Sequence, residues 1–507
     1  MWIIAVSFFV VCSVALIYIT LRNNRKINLI STLPGPSLFS ALKIAFIIGF
    51  CDYSQVFKIV KDLFDTYGSI LSGWYGPIPV ILLKDPQRIE TLCKQDKVWR
   101  RFPDIMDKKV LEPIFKTGLL AIEGEVWKRH RRILNNAFHN NILEKFVNNF
   151  DKNSNILANR IEEYANGNFQ ALQVLFTQCT IDTIVEYLFG YTVDTQKRND
   201  IAIVENLEGA VEIMSRKLLK PWMLIEIIFN MSEASRKQAS IASFLHGVVN
   251  KGIDYFLTQH ETMTQNGENK EEDVRTKERL TDILISSSEL SRDDVIGEIT
   301  SITGAGAETS STACCFALAL LCENQDIQER VMKEQIKIFN KNMHAPVANE
   351  HLIQMTYLEQ VVKETLRLYP TIPHTYKNTV AEVDLGNGEI IPEGSVVLIS
   401  AYLIHRDKDY FPNPDKFDPD RFTPENSVGR NVYSYIPFGL GRRICVGHKF
   451  AMMEMKTILS TVIRRYHFIA VEGGMERINE SLQFGIVMKP LIEFKFKFVP
   501  RKLYNAE

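Results

Sequence analysis

Apolar and polar positions follow a helical period along most of this chain, and the departures from that rhythm carry most of the information. The first is at the beginning, where the twenty residues from Trp2 to Leu21 include no charge. As a helix that run spans about 30 Å, enough for a bilayer core. Arg22, Arg25 and Lys26 follow at once and nothing basic precedes it, so the positive-inside rule places the body of the protein in the cytosol. A cleaved signal peptide is the alternative. The run is long for one and no small-x-small site closes it, so an anchor is expected. Leu33-Pro34-Gly35-Pro36 then reads as a stiff elbow, because proline cannot continue a helix. The expected division is an anchor over 1–21, a basic, proline-containing hinge over 22–45 and one large domain over 46–507. The apolar stretch Ser37 to Phe50, broken only by Lys43, either rests on a membrane surface or packs into the core; both readings stay open.

Inside the domain the pattern predicts one unusually long helix from Arg292 to Asn324 and a shorter one from Tyr357 to Tyr369, ended by Pro370. Asn387-Gly388 has the chemistry of a type I′ turn, with Val383-Asp384-Leu385 before it and a β-branched run from Ile390 to Ile399 after it. Glu493 to Phe498 alternates charge with phenylalanine at period two, as a half-buried strand does. Glu261 to Glu278 is polar and reads as a solvated loop within the domain. The expected fold is mainly α with a minor antiparallel sheet.

A net charge of −1 removes any electrostatic case for nucleic acid or a strongly acidic substrate. The eight cysteines form no CxxC pair, which argues against a disulfide framework or a structural zinc site and favours a reducing compartment. There is neither a Gly-x-Gly-x-x-Gly fingerprint nor a Walker loop, so the chain binds no nucleotide by those devices.

The segment that carries chemistry is Pro437 to Glu454, PFGLGRRICVGHKFAMME. A glycine-containing loop delivers Cys445 to the start of an amphipathic helix that runs to about Arg464. Free N–H groups and the partial positive charge there favour an anionic sulfur. Gly441 and Gly447 would let the backbone approach a flat ligand, Phe438 can shield the sulfur, and Arg443 can meet an acidic group at the ligand's edge. A lone cysteine in a helical chain is ordinarily just a small buried hydrophobe. Phe438-x-x-Gly441-x-Arg443-x-Cys445-x-Gly447, however, resembles the haem-binding signature of the cytochromes P-450 at every fixed position.

That resemblance implies haem b held by Cys445 as the metal ligand, in the cytochrome P-450 fold, between the long mid-chain helix and the cysteine-bearing helix. Glu364-x-x-Arg367, with Arg421 in Pro419-Asp420-Arg421-Phe422, resembles the family's structural clamp beneath the cysteine loop. Such buried charges are tolerable only when bonded to one another. In Ala305-Gly306-Ala307-Glu308-Thr309 a glycine beside a back-bonding threonine would widen the helix locally, and the resemblance gives Thr309 and Glu308 roles in oxygen activation. Trp127 and Arg131, four residues apart, present two donors on one helix face. The resemblance assigns these two, with Arg443 and His405, to the haem propionates. Lys377 stands where many relatives have a further arginine and lacks its planar fork.

Glu123-Gly124-Glu125-x-Trp127-x-x-His130-Arg131-Arg132 with Ala137-Phe138-His139 resembles the fourth-family clan, which includes fatty-acid ω-hydroxylases. Its vertebrate hydroxylases carry a glutamate where this chain has Ala305, so an ester link to the haem is not expected. Phe102, Ile105, Met106, Phe115, Leu119, Ile372 and Phe484 fall in the family's substrate-contact stretches and imply a lipophilic substrate: fatty acid, terpenoid, hormone or xenobiotic. The resemblance further implies electrons from NADPH through cytochrome P-450 reductase, with cytochrome b5 as a further partner. The implied location is the endoplasmic reticulum membrane. Lys128, Arg129, Arg132, Lys449 and Lys456 are candidates for a basic docking patch. Two alternatives remain at this point: a reductase-independent isomerase or dehydratase on the same fold, and a non-catalytic haem sensor or carrier.

Overall fold

The computed structural model describes residues 24–501 apart from 76–77, 96–98, 101–106, 192 and 266–279. The apolar segment 2–21, most of the polar loop 261–278, and Phe102, Ile105 and Met106 therefore lie outside the described residues.

Helices dominate, and the longest that crosses the interior is Arg292–Glu323. Ser291 starts it with a capping box: Ser291 Oγ accepts the Asp294 N–H at 3.2 Å, and Asp294 Oδ2 accepts the Ser291 N–H at 2.8 Å. Asp293 and Asp294 also complement the helix dipole in this first turn. Among the described residues this is the one helix long and apolar enough to cross a membrane, yet 83% of its apolar window is buried inside the fold, so it is a core helix. The helices Gln173–Phe189 and His448–Arg465 pack along it. Gly306 faces Ile184 on the first of these helices, where a Cβ would stand in van der Waals contact at 3.4 Å.

The sheet is small and one-sided. Its five strands run in the order Ile70–Tyr75, Ile78–Leu83, Val396–Ser400, His374–Thr379, Trp99–Arg100. All neighbours are antiparallel except Ile78–Leu83 with Val396–Ser400, which pair in parallel from Val80 opposite Val396 to Leu83 opposite Ile399. Near the C-terminus, Lys495–Pro500 pairs with Tyr466–Val471 and Phe169–Ala171, and Leu482–Phe484 forms a hairpin with Met488–Pro490. Phe494, Phe496 and Phe498 are fully buried on one face, as period two requires.

The β-branched run 390–399 is not one strand. Ile390–Ile391 pairs with Val383–Asp384, and the chain turns at Gly394 (φ +79°) before entering the sheet as Val396–Ser400. The preceding turn is as expected: Asn387 and Gly388 have φ of 57° and 79°, the sign a type I′ turn needs.

The hinge is itself structured. Helices Asn24–Thr32 and Leu38–Phe50 flank the proline elbow, and Ile30, Leu33, Ala41 and Leu42 join the apolar core of the sheet. The second helix serves both readings left open by its sequence, because Phe39, Ile47 and Phe50 on its other side are exposed. A second, larger core fills the helical region. The cysteine loop lies where the two meet: Ile436 and Leu440 belong to the sheet core, while Phe438, Val446 and Phe450 pack in the helical one.

Candidate active site

Cys445 ends a loop closed by its own N–H, which donates to Phe438 O at 2.9 Å. Gly439 and Gly441 take φ of +77° and +64° to make that turn, a region closed to most side chains. Gly447 has an ordinary φ of −91° and caps the helix that starts at His448; its missing side chain leaves space rather than relieving strain. His448 Nδ1 bonds to Cys445 O at 3.0 Å. The cysteine residue is exposed, unlike Cys93, Cys179, Cys314, Cys315 and Cys322, which are buried. Burial pushes the thiols of Cys179, Cys314, Cys315 and Cys322 up, so those four are inert apolar filling.

On the long helix Ala307, Glu308 and Ser310 are buried, but Ala305 is exposed and Thr309 partly so. A surface opening at mid-helix of a core element marks a cleft. The back-bonding expected of Thr309 is present, and the helix is continuous from Gly306 through Thr309. Its carbonyls are shared with hydroxyls: Thr309 Oγ1 donates to Ala305 O at 2.7 Å, and Thr180 Oγ1 to Ala307 O at 2.8 Å. Glu308 accepts a hydrogen bond from Lys489 Nζ at 2.9 Å through Oε1, while its buried Oε2 has no partner. Burial raises its carboxyl above the usual range and Lys489 opposes the rise.

Trp127 and Arg131 lie on the helix Gly124–Ala137. Arg131 donates from Nη1 to Ile444 O at 2.8 Å, beside the cysteine, and makes no ion pair with a described residue. Burial lowers its pKa and the nearby Cys445 opposes that. Arg443 is already engaged: it pairs with Glu123, donates to Ile122 O at 3.0 Å, and its guanidinium carbon lies 4.0 Å from the Trp127 ring centroid. Glu123 was not foreseen as its partner.

His405 corrects the propionate assignment. It is fully buried; its Nδ1–H donates to Arg367 O at 3.2 Å, and its Nε2 accepts the Ile436 N–H at 2.8 Å. Both ring nitrogens are spent on main chain, so none is left for a carboxylate. Burial holds its pKa down at about 3, which keeps the ring neutral.

Glu364 and Arg367 are bonded to each other, while Arg421 approaches them without a hydrogen bond from its Nε. Arg367 makes a two-pronged bond to Glu364 at 2.6 and 2.8 Å, and both side chains are inaccessible. Arg367 also donates to the carbonyls of His405, Pro414 and Lys416 at 2.8, 2.7 and 3.1 Å. Arg421 Nε approaches Glu364 Oε1 at 3.4 Å, and the Asp418 N–H donates to the same oxygen at 2.8 Å.

Two relations escaped the sequence reading. His130, quoted only as part of a motif, bonds through Nδ1 to Glu298 Oε1 at 2.7 Å with both side chains wholly buried, tying the tryptophan helix to the long helix. Lys489 carried no signal at all. Among the basic-patch candidates, Lys456 is buried against Glu359 at 2.9 Å and drops out, whereas Lys449 is exposed. Lys128 and Arg132 are exposed and paired with Glu125 and Glu289.

These residues suit an iron porphyrin. An exposed sulfur at a helix start, a partly buried guanidinium lacking a carboxylate, and the buried, unpartnered Thr375 Oγ1 near Gly439 are the donors such a group would use. Residues 34–498 match the family model for cytochrome P450. The chain belongs to the cytochrome P450 family. It is 30% identical to cytochrome P450 4c3 of Drosophila melanogaster over 95% of this chain and 91% of that protein. It is likewise 30% identical to cytochrome P450 4V2 of Mus musculus, over 83% and 80%. Probable cytochrome P450 4aa1 of Drosophila melanogaster shares 29% identity over 91% and 89%. The chain is accordingly a haem-containing monooxygenase of the family-four type.

Proposed function

We propose that this P450 inserts one atom of O2 into a lipophilic substrate, taking electrons from NADPH through a flavoprotein reductase. The observation that carries this reading is the joint exposure of Cys445 and of Ala305 and Thr309 inside an otherwise buried region, with Arg131 alongside. Haem bound there supplies the redox chemistry. Cys445 would hold the iron, and Arg131, Trp127 and the cysteine loop would hold its edge. Thr309, its hydroxyl proton given to Ala305 O, keeps lone pairs to accept and pass on a proton at Oγ1. Burial raises the Glu308 carboxyl above its ordinary range, against the opposing pull of Lys489, which suits it to hand on a proton.

An apolar substrate fits what lines the long helix. Phe115 lies 3.5 Å from where a Gly304 Cβ would be, with Leu207 at 3.6 Å, and Phe484 stacks on Phe57 at 3.7 Å. An adjoining cavity is lined by Val185, Phe189, Ile203, Leu207, Val249 and Thr303.

Membrane association is supported by a continuous apolar surface. Phe39, Ile47 and Phe50 are exposed, Phe50 lies 5.1 Å from the Trp222 ring, and Ile225, Ile227, Ile228 and Met231 continue the patch. With the anchor expected over 1–21, the endoplasmic reticulum, catalytic domain cytosolic, is the proposed location. Exposed Lys449, Lys128 and Arg132 are the proposed reductase contacts, with cytochrome b5 as a second acidic partner.

The test is direct. Purified protein with reductase and NADPH should oxygenate a lipophilic compound, detected by mass spectrometry, and its reduced carbon-monoxide complex should show the thiolate Soret band. Cys445→Ser should abolish both. A variant that kept pigment and spectrum would overturn the reading.

A further inference from the structure

Lys489 sits on Met488–Pro490, the return strand of the hairpin begun by Leu482–Phe484. Its ammonium lies 2.9 Å from Glu308 Oε1 on the long helix and 3.5 Å from Glu208 Oε1 on the helix Ala202–Leu219. Side-chain exposure falls from 40% at Glu208 to 22% at Lys489 and 3% at Glu308. Three charged groups thus descend from solvent to the residue next to Thr309.

The hairpin that carries Lys489 is fixed independently of this contact. The Ile486 N–H donates to Ser215 Oγ at 2.9 Å, and the Met488 N–H to Thr371 O at 2.8 Å. A Cβ at Gly485 would stand 2.6 Å from Ser215 Oγ, so the turn is pressed onto the helix. Lys489 is therefore delivered to Glu308 by a scaffold, and the pair is not a chance meeting of long surface side chains.

We propose that Lys489 is a positioning residue for proton supply: it holds Glu308 by Oε1, leaves Oε2 to carry the proton, and links that carboxyl to solvent at Glu208. The step moves a proton only. Glu308 Oε2–H gives its proton toward Thr309 Oγ1 through water, and the carboxylate left behind is stabilised by the ammonium. Water beside Glu208 then returns a proton to Glu308 Oε2, while Lys489 keeps its own proton throughout, held by Glu308 and Glu208. No electron moves, and the electrons of turnover come from the reductase of the function proposed above, on which this inference rests.

The charged groups facing Glu308 are Lys489 and Glu208, which fixes the sign of the test. Infrared difference spectra of the ferric protein, with Glu308→Gln to assign the band, report protonation of Glu308 without turnover. In Lys489→Met that band should persist to a pH higher by about one unit, because the cation that faces Glu308 among the described residues is gone. Lys489→Arg should keep the wild-type midpoint. In turnover, Lys489→Met should form about tenfold less product per NADPH, with more peroxide and a larger solvent isotope effect, and Lys489→Arg should restore coupling. An unchanged midpoint, or wild-type coupling and isotope effect, in Lys489→Met would overturn the proposal. Should wild-type protein give no oxygenated product with any lipophilic compound, the monooxygenase reading fails, and the infrared arm still decides whether Lys489 governs Glu308.

Discussion

The Nε2 of His405 accepts the main-chain N–H of Ile436 at 2.8 Å, nine residues before Cys445. Since Arg367 donates to His405 O at 2.8 Å and receives the Nδ1 proton on its own carbonyl, one imidazole joins the buried clamp to the strand of chain leading into the cysteine loop. The clamp braces the cysteine loop through His405.

Replacing His405 should therefore damage cofactor retention by loosening the loop. His405→Phe leaves the Ile436 N–H buried without an acceptor, at a cost of about 1–3 kcal/mol. Urea titration should show the loss, and the haem content of purified protein should fall with it.

The same histidine predicts a direction for acid lability. In the unfolded chain His405 takes up a proton near its ordinary value of 6.5, whereas in the fold it does so only near 3; His374, half-buried and poorly solvated in the sheet, is held to about 4. Protons then bind the unfolded state preferentially, so this stability is complete above pH 6.5 and is lost as pH falls toward 4 and then 3. Each histidine should contribute up to about 1.4 kcal/mol per pH unit within its window. Melting temperature followed between pH 7 and 4 should show it, and His374→Phe should flatten the slope.

Glu364 neutralises Arg367 where neither side chain reaches solvent. Glu364→Ala strands a buried guanidinium and should cost about 3–5 kcal/mol, abolishing folded holoprotein at ordinary temperatures. Expression level and the carbon-monoxide difference spectrum report the outcome.

Arg131 has a bond to Ile444 O and no carboxylate partner among the described residues, so an acidic cofactor edge would be its natural counter-charge. Arg131→Leu should hasten haem transfer to an acceptor protein by about tenfold, and Arg131→Lys by less, because a point charge replaces the fork.

Ala305 is exposed in the cleft and offers no carboxylate. The pigment should leave completely on acid-acetone extraction. Haem that stays with the polypeptide would show a covalent link made elsewhere.

Much of the fold was legible because burial imposes periodicity. The long helix ends one residue short of its sequence bounds at Glu323, and the phenylalanines at 494, 496 and 498 share one buried face. The run 390–399 misled because β-branched residues satisfy either strand; Pro392 and Gly394 mark the break between them. At the site, the loop that carries Cys445 and the Glu364–Arg367 pair were legible because their neighbours stand at short sequence spacing. His405 was misassigned because a histidine's partners are chosen by tertiary contacts, and here both are main-chain groups from distant segments. Lys456 looked like surface charge, yet its helix turns it inward to Glu359.

The sequence by itself determined the cysteine loop at the start of its helix, the Glu364–Arg367 pair and the helical framework, because each rests on residue types at short spacing, where backbone geometry leaves little choice. Tertiary structure alone decided which charges face one another: Lys489 with Glu308, His130 with Glu298, Arg443 with Glu123. Such pairs join segments up to 320 residues apart, and their worth depends on local burial, which no local pattern of residues encodes.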